Sequence, residues 1–430
     1  MNKMLSPRQA ALTALMAYRK SGISAETALD KQIQDLAPRD AALAAKLTFG
    51  VLQNRTLLDF YLSQFSHTPV DKFEPRVLDI LRLAAYQIIF LDRVPARAAV
   101  DEAVRMTETG SPKAAGLVNA ILRRLSEQSD KLPEPPDLAV KYSHPEWLVR
   151  RLIDLLGQEG AEALLAANNA EVPIYAQINT LKTDTVQIEG AEPHPWLPDC
   201  LALTGIGNPA NLQAFKDGLL YIQDPAARLA VIAADPKPGT RLLDTCAAPG
   251  GKSFAAAIQM GNKGEILASD LQGHKLPKIK EGADRLGIAI IKFPSSGIDA
   301  RELDPLEIGI FDTVIVDAPC SGLGIIRKKP EIRYKTPEEI AGLPEIQLQI
   351  LQGAASCVAP GGILLYATCT ILPEENSGVV SAFLADRDDF AAEAFTLPGE
   401  IGTVPEGQIT LYPHINGTDG FFICKMRRVK

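Results

Sequence analysis

The sequence predicts an α/β fold: a doubly wound parallel sheet over residues 236–430, an all-α helical bundle over 1–130, and a small mixed α/β linking domain over 137–235. Three observations predict it. Beyond Pro238, nearly all-apolar runs alternate with helical patterns, as the strands of a sheet covered on both faces do. One such run ends at Asp244 and passes through a glycine turn straight into a helix, which lets backbone N–H groups approach a ligand closely. Upstream, from Ser6 to Glu127, apolar residues recur at three- and four-residue spacing with few β-branched runs.

The N-terminal stretch MNKMLSPRQAALTALMAYRK reads as an amphipathic helix, with Leu12, Leu15 and Met16 on one face. Further helices are marked by Leu43, Leu47 and Val51, by Leu57, Leu58 and Leu62, and by Val77, Ile80 and Leu81. Pro38, Pro69, Pro75, Pro95 and Pro112 fall between helices, where a missing N–H costs least. DKLPEPP at 130–136 is a semi-rigid linker. After it, Glu146–Leu156 and Gly160–Asn168 predict helices, Pro173–Leu181 a strand, and Gly190–Gly207 mostly loop. Phe215–Gln223 predicts another strand and Ala226–Ala234 a helix; for Asn179 and Gln223 two readings stand, substrate contact and, favoured, satisfied turn polars. The sheet strands are Arg241–Asp244, Glu265–Asp270, Ile288–Phe293, Phe311–Asp317 and Ile363–Thr368. Between and after them come helices to Met260, to Leu286, from Pro337 to Val358 and over Asn376–Leu384. Asp419–Met426 closes the chain as an edge or hairpin strand.

The turn itself, LLDTCAAPGGKS at 242–253, narrows the ligand. A P-loop needs a glycine where Cys246 stands, and no G-x-G-x-x-G spacing occurs. What remains is a nucleoside whose amino-acid end lies across the turn, with its ribose held by Asp270 at the end of the next strand. Asp299, after the third strand, is placed for an adenine amino group, or for a plain helix N-cap.

Composition bounds the rest. With 46% hydrophobic and 22% charged residues over 430 positions, the chain is an ordinary globular protein of two or three domains. It has no run of 18 apolar residues and no signal-peptide pattern, so no membrane span is expected. The cysteines at 200, 246, 320, 357, 369 and 424 form no C-x-x-C pair, which points to a reduced cytoplasm. No His–Cys set has zinc-ligand spacing, so no metal is expected. Net charge is −8, but unevenly spread: residues 1–150 hold 20 basic and 17 acidic residues (+3), the remaining 280 hold 24 and 35 (−11). An RNA-binding function therefore depends on local basic patches.

DTCAAPGGKS (244–253), VDAPCSG (316–322), YATCT (366–370) and DGFFICK (419–425) occur in one order and together resemble the Fmu/Sun-type (RsmB-like) ribosomal RNA cytosine-C5 methyltransferases. The resemblance runs along nearly the whole chain, most strongly over 240–430. VNAILRRL (118–125), with the stretch from Arg82 to Val104 before it, is similar to the NusB-like RNA-binding domain at the front of that family. The resemblance implies a Rossmann-like class I methyltransferase domain using S-adenosyl-L-methionine. Its cofactor would be held by Cys246, Ala247, Ala248, Pro249, Gly250, Gly251 and Lys252 of the turn, with Asp270, Asp299 and Asp317. It makes Cys369 the nucleophile and gives Cys320 a part in product release. Ser253 in place of threonine, and SGLG after Cys320 where relatives often have SATG, are the departures.

The chemistry asks for those groups. Cytosine C5 is not nucleophilic until a thiolate adds to C6, and afterwards the C5 proton must leave so that the thiolate can be eliminated. Cys369 and Cys320 each follow an inner strand, in polar loops, while a core cysteine would sit within an element. In DNA cytosine-C5 methyltransferases the Pro-Cys cysteine, here Cys320, is the nucleophile; the Thr368–Cys369 dipeptide favours RNA. Asp317 ends its strand where a carboxylate can face both methyl donor and base. Arg327, Lys328, Lys329 and Arg333, with Tyr334, form a basic-aromatic segment after the Pro-Cys loop, suited to RNA backbone and stacking contacts. The expected partner is 16S ribosomal RNA, naked or partly assembled, and the expected state a monomer. A transfer RNA substrate, or a non-catalytic RNA-binding assembly factor, are the other readings.

Overall fold

Ser6 opens the first helix, α1 (Pro7–Ser21), with a reciprocal cap: its hydroxyl accepts from the Gln9 N–H while the Gln9 side chain accepts from the Ser6 N–H. The structure is a computed structural model that describes residues 5–430; positions 1–4 of the expected N-terminal amphipathic helix lie outside the described residues. It divides into two units, one holding the chain up to Ala170 with Lys328–Tyr334, the other Glu171–Arg327 with Lys335–Lys430.

In the first unit the apolar spacing becomes α2 (Ala25–Ile33), α3 (Pro38–Gln53), α4 (Arg55–Gln64), α5 (Pro75–Phe90), α6 (Ala96–Gly110) and α7 (Ala115–Glu127). Leu12, Leu47, Leu58, Ile80 and Leu122 meet in its core. Pro38 and Pro75 stand in the first turn of their helices, where no intrahelical N–H is owed. After α8 (Leu138–Lys141), α9 (Glu146–Ala167) is broken at Gly157, whose φ of 71° no helix accommodates, so the two expected helices lie end to end. The helical unit thus continues past the expected linker, through α9 to Ala170.

The second unit begins with a small antiparallel sheet of β1 (Ile174–Ile178), β2 (Ala191–Pro193), β3 (Cys200–Leu203) and β4 (Leu220–Ile222), in the order β2-β3-β1-β4. Gly190–Gly207, expected to be mostly loop, supplies both β2 and β3. Pro193, Pro195 and Pro198 hide the alternation, and β2 tolerates its proline because it is an edge strand. The first half of the expected 215–223 strand is instead the end of the short helix α10 (Gln213–Lys216) and a turn. Asp224 then caps α11 (Pro225–Ala234).

The main sheet follows with β5 (Arg241–Asp244), α12 (Gly251–Gln259), β6 (Glu265–Ala268), α13 (Leu276–Leu286), β7 (Ile291–Lys292), α14 (Pro305–Ile308) and β8 (Phe311–Asp317). Next come α15 (Pro337–Ile340), α16 (Leu343–Ala355), β9 (Val358–Thr368), α17 (Ser377–Asp386), β10 (Phe390–Ala392), β11 (Phe395–Leu397), β12 (Gly402–Val404), β13 (Gln408–Leu411), α18 (Pro413–Asn416) and β14 (Phe421–Arg428). The order is β10-β14-β9-β8-β5-β6-β7, parallel from β9 to β7, with β14 antiparallel to β9. This is the doubly wound sheet the alternation predicts, and its winding reverses between β5 and β8, where such folds bind ligands. β14 is interior, a correction to the edge expectation: β9 pairs with one side of it, and β10 and β13 share the other. The hairpin half of that expectation stands, because β13 and β14 are antiparallel neighbours. The single helix expected over 337–358 is two, divided before Leu343.

Candidate active site

The turn after β5 is built by backbone bonds: Thr245 N–H to Ile315 O at 3.1 Å, Ala247 N–H to Ser269 O at 2.8 Å, and Gly250 N–H to Ala247 O at 2.6 Å. Gly250 has φ 109°, and a Cβ there would come within 2.6 Å of the Phe254 ring, so both backbone and space require glycine. Asp244 is fully buried; its Oδ2 accepts from the Ser253 hydroxyl at 2.7 Å and its Oδ1 accepts from nothing. Burial pushes its carboxyl up to about 6. Beside the turn, Gln223 packs against Gly251 and its Oε1 is also a buried acceptor without a donor. Asp270 accepts from the Ala248 N–H at 3.2 Å and the Gln272 N–H at 2.9 Å, which ties β6 to the turn. The Asp270 carbonyl accepts from the Ile298 N–H, bringing the loop after β7 alongside.

An orphaned buried acceptor at the turn, Asp244 Oδ1, and another beside it, Gln223 Oε1, fit a ligand that brings donors. Of the two turn polars expected to be satisfied, Asn179 is, bonded to Gly218 O, Leu286 O and the Leu181 N–H, and Gln223 is not. Asp299 caps the turn Ala300–Glu302, and Arg301 holds its carboxylate through Nε and Nη2, which keeps that carboxyl below the usual range. The N-cap reading of Asp299 is thus observed.

Lys252, in the first turn of α12, is buried, and its Nζ donates to Asp317 Oδ2 at 2.5 Å while lying 5.1 Å from the Phe421 ring centroid. Asp317 ends β8 and is 32% exposed on the open side of the pair. Three residues on, the Pro-Cys loop brings the Cys320 sulfur to 3.2 Å from that of Cys369. The two strand ends are locked together: Ala318 N–H donates to Ala367 O at 2.9 Å and Gly324 N–H to Cys369 O at 3.0 Å. The Cys369 sulfur as bonding partner, then burial, raise the Cys320 thiol well above its ordinary value, and the charges of Cys369 and Glu375 add to this. Cys200, Cys357 and Cys424 are buried in the cores, and burial raises the half-buried Cys246 thiol to about 12. None of these four has a cysteine partner.

The basic segment after Cys320 divides. Arg327 is no RNA contact: its side chain is 4% exposed, with Nε on Asp419 Oδ1 at 2.9 Å and Nη2 on Asp224 Oδ2 at 3.5 Å. That pair fixes the Asp419–Gly420 turn against Gly324, where a Cβ would meet Gly420 O at 1.9 Å. Arg333 is no RNA contact either. It is fully buried in the helical unit, donating to Pro330 O, Gln53 O, Tyr142 O, Ser143 O and Asn169 Oδ1. Each guanidinium is spent on acceptors inside the fold, a role that charge counting cannot separate from a surface role. Lys328 and Lys329 are exposed.

Comparison with known proteins identifies what this geometry belongs to. The chain matches the 16S rRNA methyltransferase RsmB/F family over 231–427, the NusB family over 5–127 and a ferredoxin-like domain of RsmF/B-type methyltransferases over 144–208. It is 38% identical to the probable ribosomal RNA small subunit methyltransferase B of Bacillus subtilis (strain 168), over 99% of both chains. The chain belongs to the RsmB/F family.

Its relative in Synechocystis is 33% identical over 99% of this chain and all of that protein. The solved structure of PH0851 superposes with a TM-score of 0.79 at 28% identity, covering 99% of this chain and all of the other. A methyltransferase homolog protein from Pyrococcus horikoshii gives 0.56 at 28% identity, covering 69% of this chain and all of that one. As an RsmB/F protein the chain is an S-adenosylmethionine-dependent methyltransferase of small-subunit ribosomal RNA. The residues present fit such a group: Asp244 Oδ1 and Gln223 Oε1 are buried acceptors without a donor, and Asp270 offers a carboxylate at the end of β6 beside the turn. Among the described residues no His, Cys, Asp and Glu group could hold a metal, and no helix is long and apolar enough to cross a membrane.

The sequence reading missed Glu375 and Gln347. Both are buried charged or amide side chains on helical segments flanking the cysteine loops, and both bind those loops. The signal was present as the polar cluster PEEN directly after an apolar pair, Ile371–Leu372.

Proposed function

We propose that this RsmB/F protein methylates C5 of a cytosine in 16S ribosomal RNA, with Cys369 bonding transiently to C6 and Cys320 assisting release. The observation that carries this is the 3.2 Å approach of the two sulfurs, at strand ends that also present Asp317, which Lys252 of α12 holds. S-adenosylmethionine, when bound, supplies an electrophilic methyl.

The target base must be unpaired or turned out of its stack to reach the sulfurs. The exocyclic amine of cytosine is a donor, and the exposed oxygen side of Asp317 is the acceptor placed for it, oriented by Lys252. Addition of the Cys369 thiolate to C6 pushes the C5=C6 electron pair onto C5, which then takes the methyl. Removal of the C5 proton re-forms C5=C6 and expels Cys369 as thiolate. Cys320 is the base for this step, and its electrostatics support that order. The Cys369 sulfur, as bonding partner and by its charge, together with burial, holds Cys320 protonated; bonding of Cys369 to C6 weakens that hold and Cys320 then gives up its proton more readily.

Lys328 and Lys329 remain as contacts for the RNA backbone, and the remaining expectations (a monomer acting in the cytoplasm on naked or partly assembled 16S RNA) complete the reading. The test is methyl transfer from labelled cofactor to 16S ribosomal RNA. Cys369→Ala is expected to lower transfer at least about a thousandfold, and Cys320→Ala to accumulate a denaturation-resistant protein–RNA adduct through Cys369. Transfer surviving in Cys369→Ala but lost in Cys320→Ala would reverse the two roles. Methylation of transfer RNA in preference to 16S RNA would move the substrate, and no transfer to any RNA would leave an RNA-binding assembly factor.

A further inference from the structure

One buried carboxylate touches both cysteine loops. Glu375, in the turn between β9 and α17, is 1% exposed. Its Oε2 accepts from the backbone N–H of Ser321, the residue after Cys320, at 2.8 Å, and from Gln347 Nε2 of α16 at 2.9 Å. Its Oε1 accepts from the hydroxyl of Thr370, the residue after Cys369, at 3.2 Å. The Thr370 and Ser321 hydroxyls are 2.7 Å apart; because Thr370 donates to Glu375, Ser321 donates to Thr370. Gln347 also donates to Pro319 O, on the other side of Cys320, at 3.0 Å. Three donors, the Ser321 N–H, Gln347 Nε2 and the Thr370 hydroxyl, thus converge on one side chain, which bridges the residues that follow each sulfur.

We propose that Glu375 is the positioning residue of the cysteine pair: its two carboxylate oxygens clamp the Ser321 and Thr370 segments together and so set the distance between Cys320 and Cys369. The inference rests on the covalent reading above, in which release depends on Cys320 standing beside the Cys369–C6 bond. Strand pairing between β8 and β9 ends at Asp317–Ala367; beyond it the Gly324 N–H to Cys369 O bond ties the loops at one point, and the side-chain bonds through Glu375 join the residues directly after the two sulfurs. A buried network of this kind rigidifies because each lost partner leaves another polar group unsatisfied.

Two variants separate reach from charge. Glu375→Asp keeps the carboxylate but is one methylene short, so its two oxygens can no longer reach both loops at once. Glu375→Gln keeps the reach: its oxygen can accept from Ser321 and Gln347, and its amide can donate to Thr370, whose hydroxyl then turns to Ser321. Both are assayed with labelled cofactor and 16S RNA, next to wild type and Cys320→Ala, scoring turnover, the denaturation-resistant adduct and cofactor affinity. Glu375→Asp is expected to accumulate adduct as Cys320→Ala does, with turnover down about 30- to 100-fold and cofactor affinity within about threefold. Glu375→Gln is expected to stay within about fivefold of wild type with no adduct build-up. The reverse pattern, Gln trapped and Asp normal, would make the charge and not the clamp the active property and overturn the proposal. Equal loss of turnover and adduct in both variants would reduce Glu375 to a general fold residue, which also overturns it. If Cys320→Ala itself traps no adduct, the covalent reading fails instead.

Discussion

Asp244 shows burial setting the chemistry of a side chain. Asp244 shares its buried turn with an ammonium, Lys252, and still holds its proton up to about pH 6, because desolvation outweighs the attraction. The folded chain therefore binds that proton more tightly than the unfolded chain does. The contribution to stability is complete below about pH 4 and is lost as pH rises through about 6. Asp244→Asn removes this titration while leaving an oxygen for the Ser253 hydroxyl. Denaturant unfolding of the cofactor-free protein should show the variant gaining on wild type by roughly 1–3 kcal/mol between pH 4 and 7. A constant difference across that range would mean that Asp244 is ionised throughout. The same variant should bind cofactor more weakly, since the orphaned Oδ1 becomes part of an amide.

At the scale of elements, the site is an assembly of loop ends on a rigid sheet. β5, β8 and β9 run parallel and present Asp244, Asp317 and Thr368 at one edge, while β14 runs back beside β9 and delivers Asp419–Gly420 to the same place. Gly324 and Gly420 meet there backbone to backbone. Gly324→Ala would force a Cβ to within 1.9 Å of a carbonyl that has a hydrogen-bonded neighbour and nowhere to move. Scanning calorimetry should show a loss of about 2 kcal/mol or more, with methyl transfer falling at least tenfold and cofactor affinity kept within about threefold. Retained activity with a lowered melting temperature would mean that the Cys369 loop does not depend on this contact. The sequence placed β14 at an edge because it ends the chain. Its run FFICKM is apolar on both faces, and that was the readable sign of an interior strand.

At the scale of the whole molecule, a net charge of −8 leaves few places for a polyanion, so the fate of each cation matters. Two of the four expected RNA contacts, Arg327 and Arg333, are spent inside the fold. Arg333→Met should lower stability by about 3 kcal/mol or more, since five acceptors each lose a donor, with no change in the salt dependence of RNA binding. Lys328→Ala with Lys329→Ala should do the opposite: unchanged stability, and a salt slope of 16S RNA affinity reduced by about one to two. A slope that moves with Arg333 and not with the two lysines would return the arginine to the RNA surface.

The sequence by itself determined the class of fold, the glycine turn, and the two cysteines with their aspartates. Each of these is a local pattern: a period, a turn that only glycine can make, or a reactive residue directly after a strand. What only the tertiary structure decided concerns partners far apart in the chain. It put Glu375 between Ser321 and Thr370, left Asp244 and Gln223 with unmet acceptors, and turned Arg327 and Arg333 from surface cations into internal ties. Sequence spacing carries a residue's neighbours along one element; burial and satisfaction depend on which elements close over it, and that is settled only when the chain is packed.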